Sequence, residues 1–439
     1  MESKRLKQIS NQSSGFGFLF SLPILSWALY DFANTIFSSN ITTVFFPFYV
    51  TDTIGTTAEL EQLGNALISY ANALASFFLV IFSPLFGVWI DQTGYKQRYV
   101  IRFAAISILC TVLMGLFAGW DSDGILWGLP VPFVATVLMF VLAKFFYNSS
   151  LIFYDAKISD LVPRDRLSIL SGFGVAVGYM GTLAGLMVYF LLDDGYEYVF
   201  LATAALYLVF TLPLLFFLRE ERSMQKKSGN GLLSGYKEII ATIREIRKHR
   251  SIFRFMIGYF FVNDAIATTI AVMSVYAVTV VGFSSGQFII LYLVSTVTAI
   301  IGSFCFGQIA NKIGAHRSFS LVAVIMVIAL TIGVLAAAQW MFWIAGSLFG
   351  IALGSIWVTS RILIVDLSPT EKQGQFFGLF AFSGKVSSII GPMIYGSITL
   401  ALKDFGDLAS RAALTSLILL TIIGLLVHIA KTPDRMAVR

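Results

Sequence analysis

Apolar residues in this chain come in long unbroken runs, separated by short polar loops. A helix that crosses a hydrocarbon core of about 30 Å needs about 20 mostly apolar residues. Twelve such runs can be read, near residues 22–49, 63–90, 99–119, 131–154, 169–192, 198–218, 253–281, 286–310, 318–338, 341–365, 374–401 and 409–430. They lack the two-residue alternation of a barrel strand, and inside a bilayer each must satisfy its own backbone. The pattern predicts an all-α membrane protein with twelve transmembrane helices. The first run follows Lys4, Arg5 and Lys7 like a signal peptide, but it is too long and has no small-residue cleavage site. It is expected to remain as the first span.

The loops carry the orientation signal. One set holds Lys96, Arg98, Arg164, Arg166, Lys312, Arg317 and Lys372, together with both termini. The other holds Asp52, Glu59, Glu61, Asp121, Asp123, Asp193, Asp194 and Glu197, with Lys403 and Arg411 its only basic residues. Both termini are therefore expected in the cytoplasm, and the chain in a plasma (inner) membrane. The longest polar stretch, 219–250, divides an N-terminal bundle (1–218) from a C-terminal one (251–439). Within it Tyr236, Ile239, Ile243 and Ile246 share a helical face, the pattern of a helix lying on the anionic leaflet or simply of a solvated connector.

Composition agrees: of 439 residues, 57% are hydrophobic and 12% charged, about half the charge of a soluble domain. The net charge of +6 sits where topology places it, so no nucleic-acid partner is implied. Cys110 and Cys305 lie far apart in apolar runs, neither a disulfide framework nor a metal pattern. His249, His316 and His428 are the only histidines, and none is deep in a span. Gly384-Lys385 lacks the spacing of a phosphate-binding loop, because Leu379 stands where that motif needs glycine. No metal, no cofactor and no enzymatic activity are expected, and the chain is expected to act as a monomer.

The two halves repeat each other. Gly87, Asp91, Gly94 and Lys96 after the second span match Gly307, Asn311, Gly314 and His316 after the eighth. Asp160 to Pro163 matches Asp366 to Pro369; Gly172, Gly178 and Gly185 match Gly378, Gly384 and Gly391; Tyr30 and Asn34 match Tyr259 and Asn263. Two pseudo-symmetric six-helix bundles follow.

The loop Gly87-x-x-x-Asp91-x-x-Gly94-x-Lys96 resembles the signature of the major facilitator superfamily. Trp27 to Asn34, Phe146-Tyr147-Asn148, Asn263-Asp264, Ser360-Arg361, Phe376 to Gly378 and Ser383 to Lys385 are similar to the vacuole effluxer-like branch. That resemblance implies alternating access, a cavity lined by spans one, four, seven and ten, and, from eukaryotic relatives, export of amino acids from vacuoles. Ala265 and Asn311 depart from the pattern, and Asn311 implies asymmetric gating.

Ionisable residues inside a span cost about 2.5–3.5 kcal/mol each on insertion scales. At 1.5 Å per residue, Asp31 lies roughly 14 Å into its span and Asp264 about 16 Å into its own; Lys385 is similarly deep. Lys144 is close enough to the cytoplasmic end to snorkel, so it reads either as a surface anchor or as a cavity cation. Arg361 reads as a gate or a lipid-facing anchor. Candidate solute-binding residues are Tyr30, Asp31, Asn34, Lys144, Asn148, Asn263, Asp264 and Lys385. The asparagines equally suit interhelical hydrogen bonds, and both aspartates suit structural ones. Proton handling is expected at Asp31 and Asp264. Gating is expected at Gly87, Asp91, Gly94, Lys96, Arg98, Asp155 and Arg361. The leading function is secondary active transport of a small polar or zwitterionic solute. Flipping of a lipid or amphiphile on the same scaffold is the alternative, suited by the 41 phenylalanines.

Overall fold

The computed structural model describes residues 16–54, 58–218, 220 and 250–430. Almost all of the expected linker, with its amphipathic face at Tyr236 to Ile246, lies outside the described residues. Eleven helices are long and apolar enough to cross a membrane: Leu67–Thr93, Gln97–Ala118, Val131–Leu161, Arg164–Tyr189, Tyr196–Phe217, Ser251–Thr279, Gly286–Ile313, Ala315–Leu335, Gln339–Leu367, Thr370–Ala401 and Asp407–Ile429. With the first span they make the expected twelve among the described residues.

The first span corrects the expectation of a single regular helix. It consists of α1 (Leu22–Phe37), a π-helical stretch Ser38–Phe45, and α2 (Phe46–Ile54). The cause is local: Ser38, Ser39, Asn40, Thr42 and Thr43 offer hydroxyl and amide groups that compete with the α-helical ladder. The Thr43 hydroxyl donates to the Ser38 carbonyl five residues back, at 3.1 Å.

Besides short 3₁₀ turns, the remaining elements are α3 (Ala58–Thr93), α4 (Gln97–Ala118), β1 (Ile125–Leu126), β2 (Leu129–Pro130), α5 (Val131–Leu161), α6 (Leu167–Leu186), α7 (Tyr196–Phe217), α8 (Arg250–Thr279), α9 (Ser285–Ile313), α10 (Ala315–Leu335), α11 (Gln339–Leu367), α12 (Gln373–Ala401) and α13 (Asp407–Ile429). The strands form a small hairpin that the apolar pattern does not announce. Its tip places Trp127 and Gly128 at φ 53 and 80, the left-handed backbone of a tight two-residue hairpin turn.

The chain divides into two compact units, Met1–Pro163 with Val177–Lys227, and Arg164–Ala176 with Ser228–Arg439. Inside the first, α4 packs on α5 and α7, α3 on α5, and α1 on α7. Inside the second, α10 packs on α11 and α13, α9 on α11, and α8 on α13. Each of these four pairings in one unit has its repeat counterpart in the other. Aromatic contacts fill the first core: Phe46 stacks on Phe140 with centroids 3.6 Å apart, and Trp27 on Tyr154 at 4.7 Å. Large apolar side chains such as Phe77, Met180 and Ile301 are more than half exposed, as expected where the surrounding solvent is lipid.

Candidate functional site

The repeated loop motif has a physical explanation in both units. Gly94 and Gly314 follow α3 and α9 at φ 67 and 85, a left-handed backbone that glycine adopts without a Cβ penalty. Each donates its N–H four residues back, to Ile90 O at 2.9 Å and Ala310 O at 3.0 Å. The motif's first glycine in the second unit, Gly307, allows backbone contact with α6. A Cβ on Gly172 would lie 2.8 Å from the Gly307 Cα and 2.6 Å from the Ser303 carbonyl.

Lys96 ties its loop to the end of α5. Its Nζ donates to Asp160 Oδ1 at 2.9 Å and to the Ala156 carbonyl at 2.9 Å, and Lys157 approaches the other oxygen of Asp160 at 3.4 Å. Arg98, another expected gating residue, is held by Glu220 (3.5 Å) and lies over the Tyr95 ring. Glu220 also accepts the backbone N–H groups of Lys96, of Gln97 at 2.9 Å and of Arg98 at 3.2 Å. Its carboxylate thus satisfies the orphan donors at the start of α4 and complements the helix dipole. The Gln97 amide donates to the Leu214 carbonyl at 2.9 Å and to that of Leu218, bolting α4 to the end of α7. The second unit makes the equivalent joint differently: His316 and His428 stack at 3.9 Å, and His428 Nε2 meets the His316 carbonyl at 3.1 Å. Gly87 is buried on α3, and Asp91 is half-buried one turn later.

The expected solute residues of the first unit lie on α1 and α5. The Tyr30 hydroxyl donates to Ser150 Oγ at 2.6 Å. Asp31 is 9% exposed and Asn34 is buried. Asp31 lies against the glycine face of α6, where a Cβ on Gly178 would come within 3.1 Å of its carboxylate. Lys144 engages Asn72 of α3. Asn148 donates to the Lys144 carbonyl at 2.8 Å within its own helix. Asp155 is half-buried near the C-terminal end of α5. Arg361 is only 7% exposed, which removes the lipid-facing reading.

In the second unit Asn263 clamps α8 to α12. Its Oδ1 accepts from the Tyr259 hydroxyl at 3.1 Å, and its Nδ2 donates to the Gly384 carbonyl at 3.0 Å and Ser387 Oγ at 2.8 Å. Asp264, fully buried, accepts the Gly391 N–H at 2.7 Å. Lys385 is half-buried on α12. The offset that pairs Tyr30 with Tyr259 and Asn34 with Asn263 pairs Thr35, not Asp31, with Asp264. The two carboxylates sit in equivalent helices at non-equivalent positions.

Sequence reasoning assigned no contact or role to Asn40, Asp160, Glu220 or Thr268. Asn40, in the π stretch, donates to the Gly185 carbonyl at 2.9 Å and to Thr203 Oγ1 at 3.1 Å. A polar cluster inside the first span was its only advance signal. Among the described residues no group of three His, Cys, Asp or Glu side chains could hold a metal.

Two bundles of membrane-crossing helices with matched internal packing, and acidic groups buried inside their spans, define a transporter of the major facilitator fold. The chain belongs to the family described as "Vacuole effluxer Atg22 like", whose profile matches residues 23–435. It is 25% identical to the uncharacterized MFS-type transporter YxiO of Bacillus subtilis, over 92% of this chain and 93% of that protein. It is 24% identical to autophagy-related protein 22 of Candida glabrata, over 70% of this chain and 66% of the relative. Among solved structures, the human organic anion transporter MFSD10 superposes with a TM-score of 0.71 at 14% identity, covering 93% of this chain and 98% of that one. A bacterial homologue of the iron transporter ferroportin, in its outward-facing state, gives 0.69 at 16% identity, covering 91% and 99%. At these identities the structural likeness carries the fold.

Proposed function

We propose that this transporter is a secondary carrier that exports a small zwitterionic solute, amino-acid-like in chemistry, by alternating access with a proton as coupling ion. The observation that carries the reading is the placement of Asp31 and Asp264. Each is buried mid-span, packed against a helical glycine of its own unit, Gly178 for Asp31 and Gly391 for Asp264. Carboxylates retained at such cost mark ion or solute pathways in membrane proteins. Amide and cationic groups within the same units (Asn34, Lys144, Lys385) add the complementary polarity that a zwitterion needs. The basic residues of the loops beside the termini support cytoplasmic termini, and the name of the effluxer family supports the outward direction.

Reconstituted vesicles loaded with a panel of amino acids and sugars, with and without a pH gradient, test this. At least one amino acid should leave faster under the gradient. Asp31→Asn or Asp264→Asn should remove the gradient dependence, by tenfold or more if that carboxylate is the proton carrier. Gradient-dependent transport unchanged in both variants sinks the proton assignment, and failure of the whole panel sinks the solute class.

A further inference from the structure

The environment of Asp264 holds more than the transport reading uses. Its Oδ1 is satisfied by Gly391, but its Oδ2 is buried without a hydrogen-bond partner. One helical turn along α8, on the same face, Thr268 is fully buried and its hydroxyl also has no partner. Thr42 and Thr211 share that state, but neither has a buried carboxylate oxygen without a partner one turn away on its own helix. The adjacent Thr269 donates to the Ala265 carbonyl at 2.7 Å, and Thr296, Thr359 and Thr421 likewise bond four residues back at 2.8 to 2.9 Å.

Both side chains converge on one point of α12. A Cβ on Gly391 would lie 2.5 Å from Asp264 Oδ1 and would overlap Thr268 Oγ1. The next residue is Pro392, inside the helix. Proline supplies no N–H, so the Ser388 carbonyl on this turn loses its helical donor. A carboxylate and a hydroxyl therefore meet beside this proline-bearing turn, where burial without partners is costly.

Their chemistry selects the ligand. All are hard oxygen donors, which suit alkali and alkaline-earth cations over softer metals. The site carries a single negative charge, and no ion pair reaches Asp264 among the described residues, so a monovalent cation balances it. Of the charged groups on the helices packed against α8, Lys385 is six residues from Gly391 on α12. The others are Arg361 and Asp366 of α11, Lys312 of α9, and Asp407, Arg411 and His428 of α13. The close approach that Gly391 permits favours the smaller Na⁺ over K⁺. We propose that Asp264, Thr268 and the proline-bearing turn of α12 bind a dehydrated Na⁺, in competition with a proton on the same carboxylate. Its use as a coupling ion rests on the transport reading, whereas the binding itself does not.

The test uses the full chain in lipid nanodiscs at constant ionic strength, with NaCl exchanged for KCl or choline chloride while thermal unfolding is followed. Na⁺ alone should raise the Tm, saturably, and more strongly at mildly alkaline than at mildly acidic pH. Thr268→Val should weaken the half-saturating concentration by about tenfold, the loss of one ligand contact. Asp264→Asn should abolish the response, and Thr269→Val should keep it. Should Asp264→Asn not fold, NaCl added to the wild-type protein in weak buffer should still release protons, and KCl should not. No Na⁺-specific shift, a shift that survives in a folded Asp264→Asn protein, or stabilisation by acid alone would each overturn the site. Vesicles that transport the solute while nanodiscs show no Na⁺ response end this inference only. A Na⁺ response with a failed solute panel ends only the transport reading.

Discussion

At the scale of single residues, the controlling feature is how closely helices approach where side chains are missing. Gly391 brings the α12 backbone onto Asp264 and Thr268, whereas a Cβ on Gly396 of the same helix would meet nothing within 4 Å. Gly391→Ala should therefore lower stability by about 1–3 kcal/mol, the usual cost of overpacking. Gly396→Ala should leave it equal or raise it by up to about 1 kcal/mol through helix propensity. Thermal unfolding of the two variants side by side checks this, and equal losses would refute it. The aspartates were legible in the sequence because charge inside an apolar run stands out. Their partners were not. Thr268 reads like any other span threonine until its missing helical bond is seen, and Asn40 finds its acceptors 145 and 163 residues away.

At the scale of elements, most helices could be placed from the apolar runs, since a bilayer tolerates few alternatives. Their joints could not. The start of α4 is organised by Glu220, 122 to 124 residues downstream, and by the Gln97 contacts to the end of α7. A loop-like acidic residue beyond the sixth span gave no sign of this. Glu220→Ala should cost about 0.5–2 kcal/mol, as for other lost caps. Hydrogen exchange at the amides of Lys96, Gln97 and Arg98 should accelerate, while exchange in the core of α4 should not. Protection unchanged at those three amides would show that the cap is dispensable. The hairpin at Ile125 to Pro130 was invisible for another reason: two-residue strands carry no periodicity.

At the scale of the whole molecule, the repeat was readable from loops because the glycines of its motif answer a backbone demand common to both units. Divergence appears in what is bolted to that backbone: Lys96 and Asp160 in one unit, stacked histidines in the other. The charge asymmetry of the loops predicts sidedness. In a chain with Cys110 and Cys305 replaced, a single cysteine at Asp123 should react with an impermeant maleimide from outside intact cells. One at Lys312 should react only after permeabilisation. The reverse pattern would invert the topology.

The π stretch in the first span has a consequence for rotational phase. A helical bond that closes over five residues instead of four advances each side chain by less than the roughly 100° of an α-helix. Across eight residues α2 is turned relative to α1. So Asp31 can address α6 while Phe46 and Tyr49, beyond Asn40, stack on Phe140 and Phe133. The first span presents two apolar stripes out of step with each other, and no single helical wheel drawn from end to end describes it.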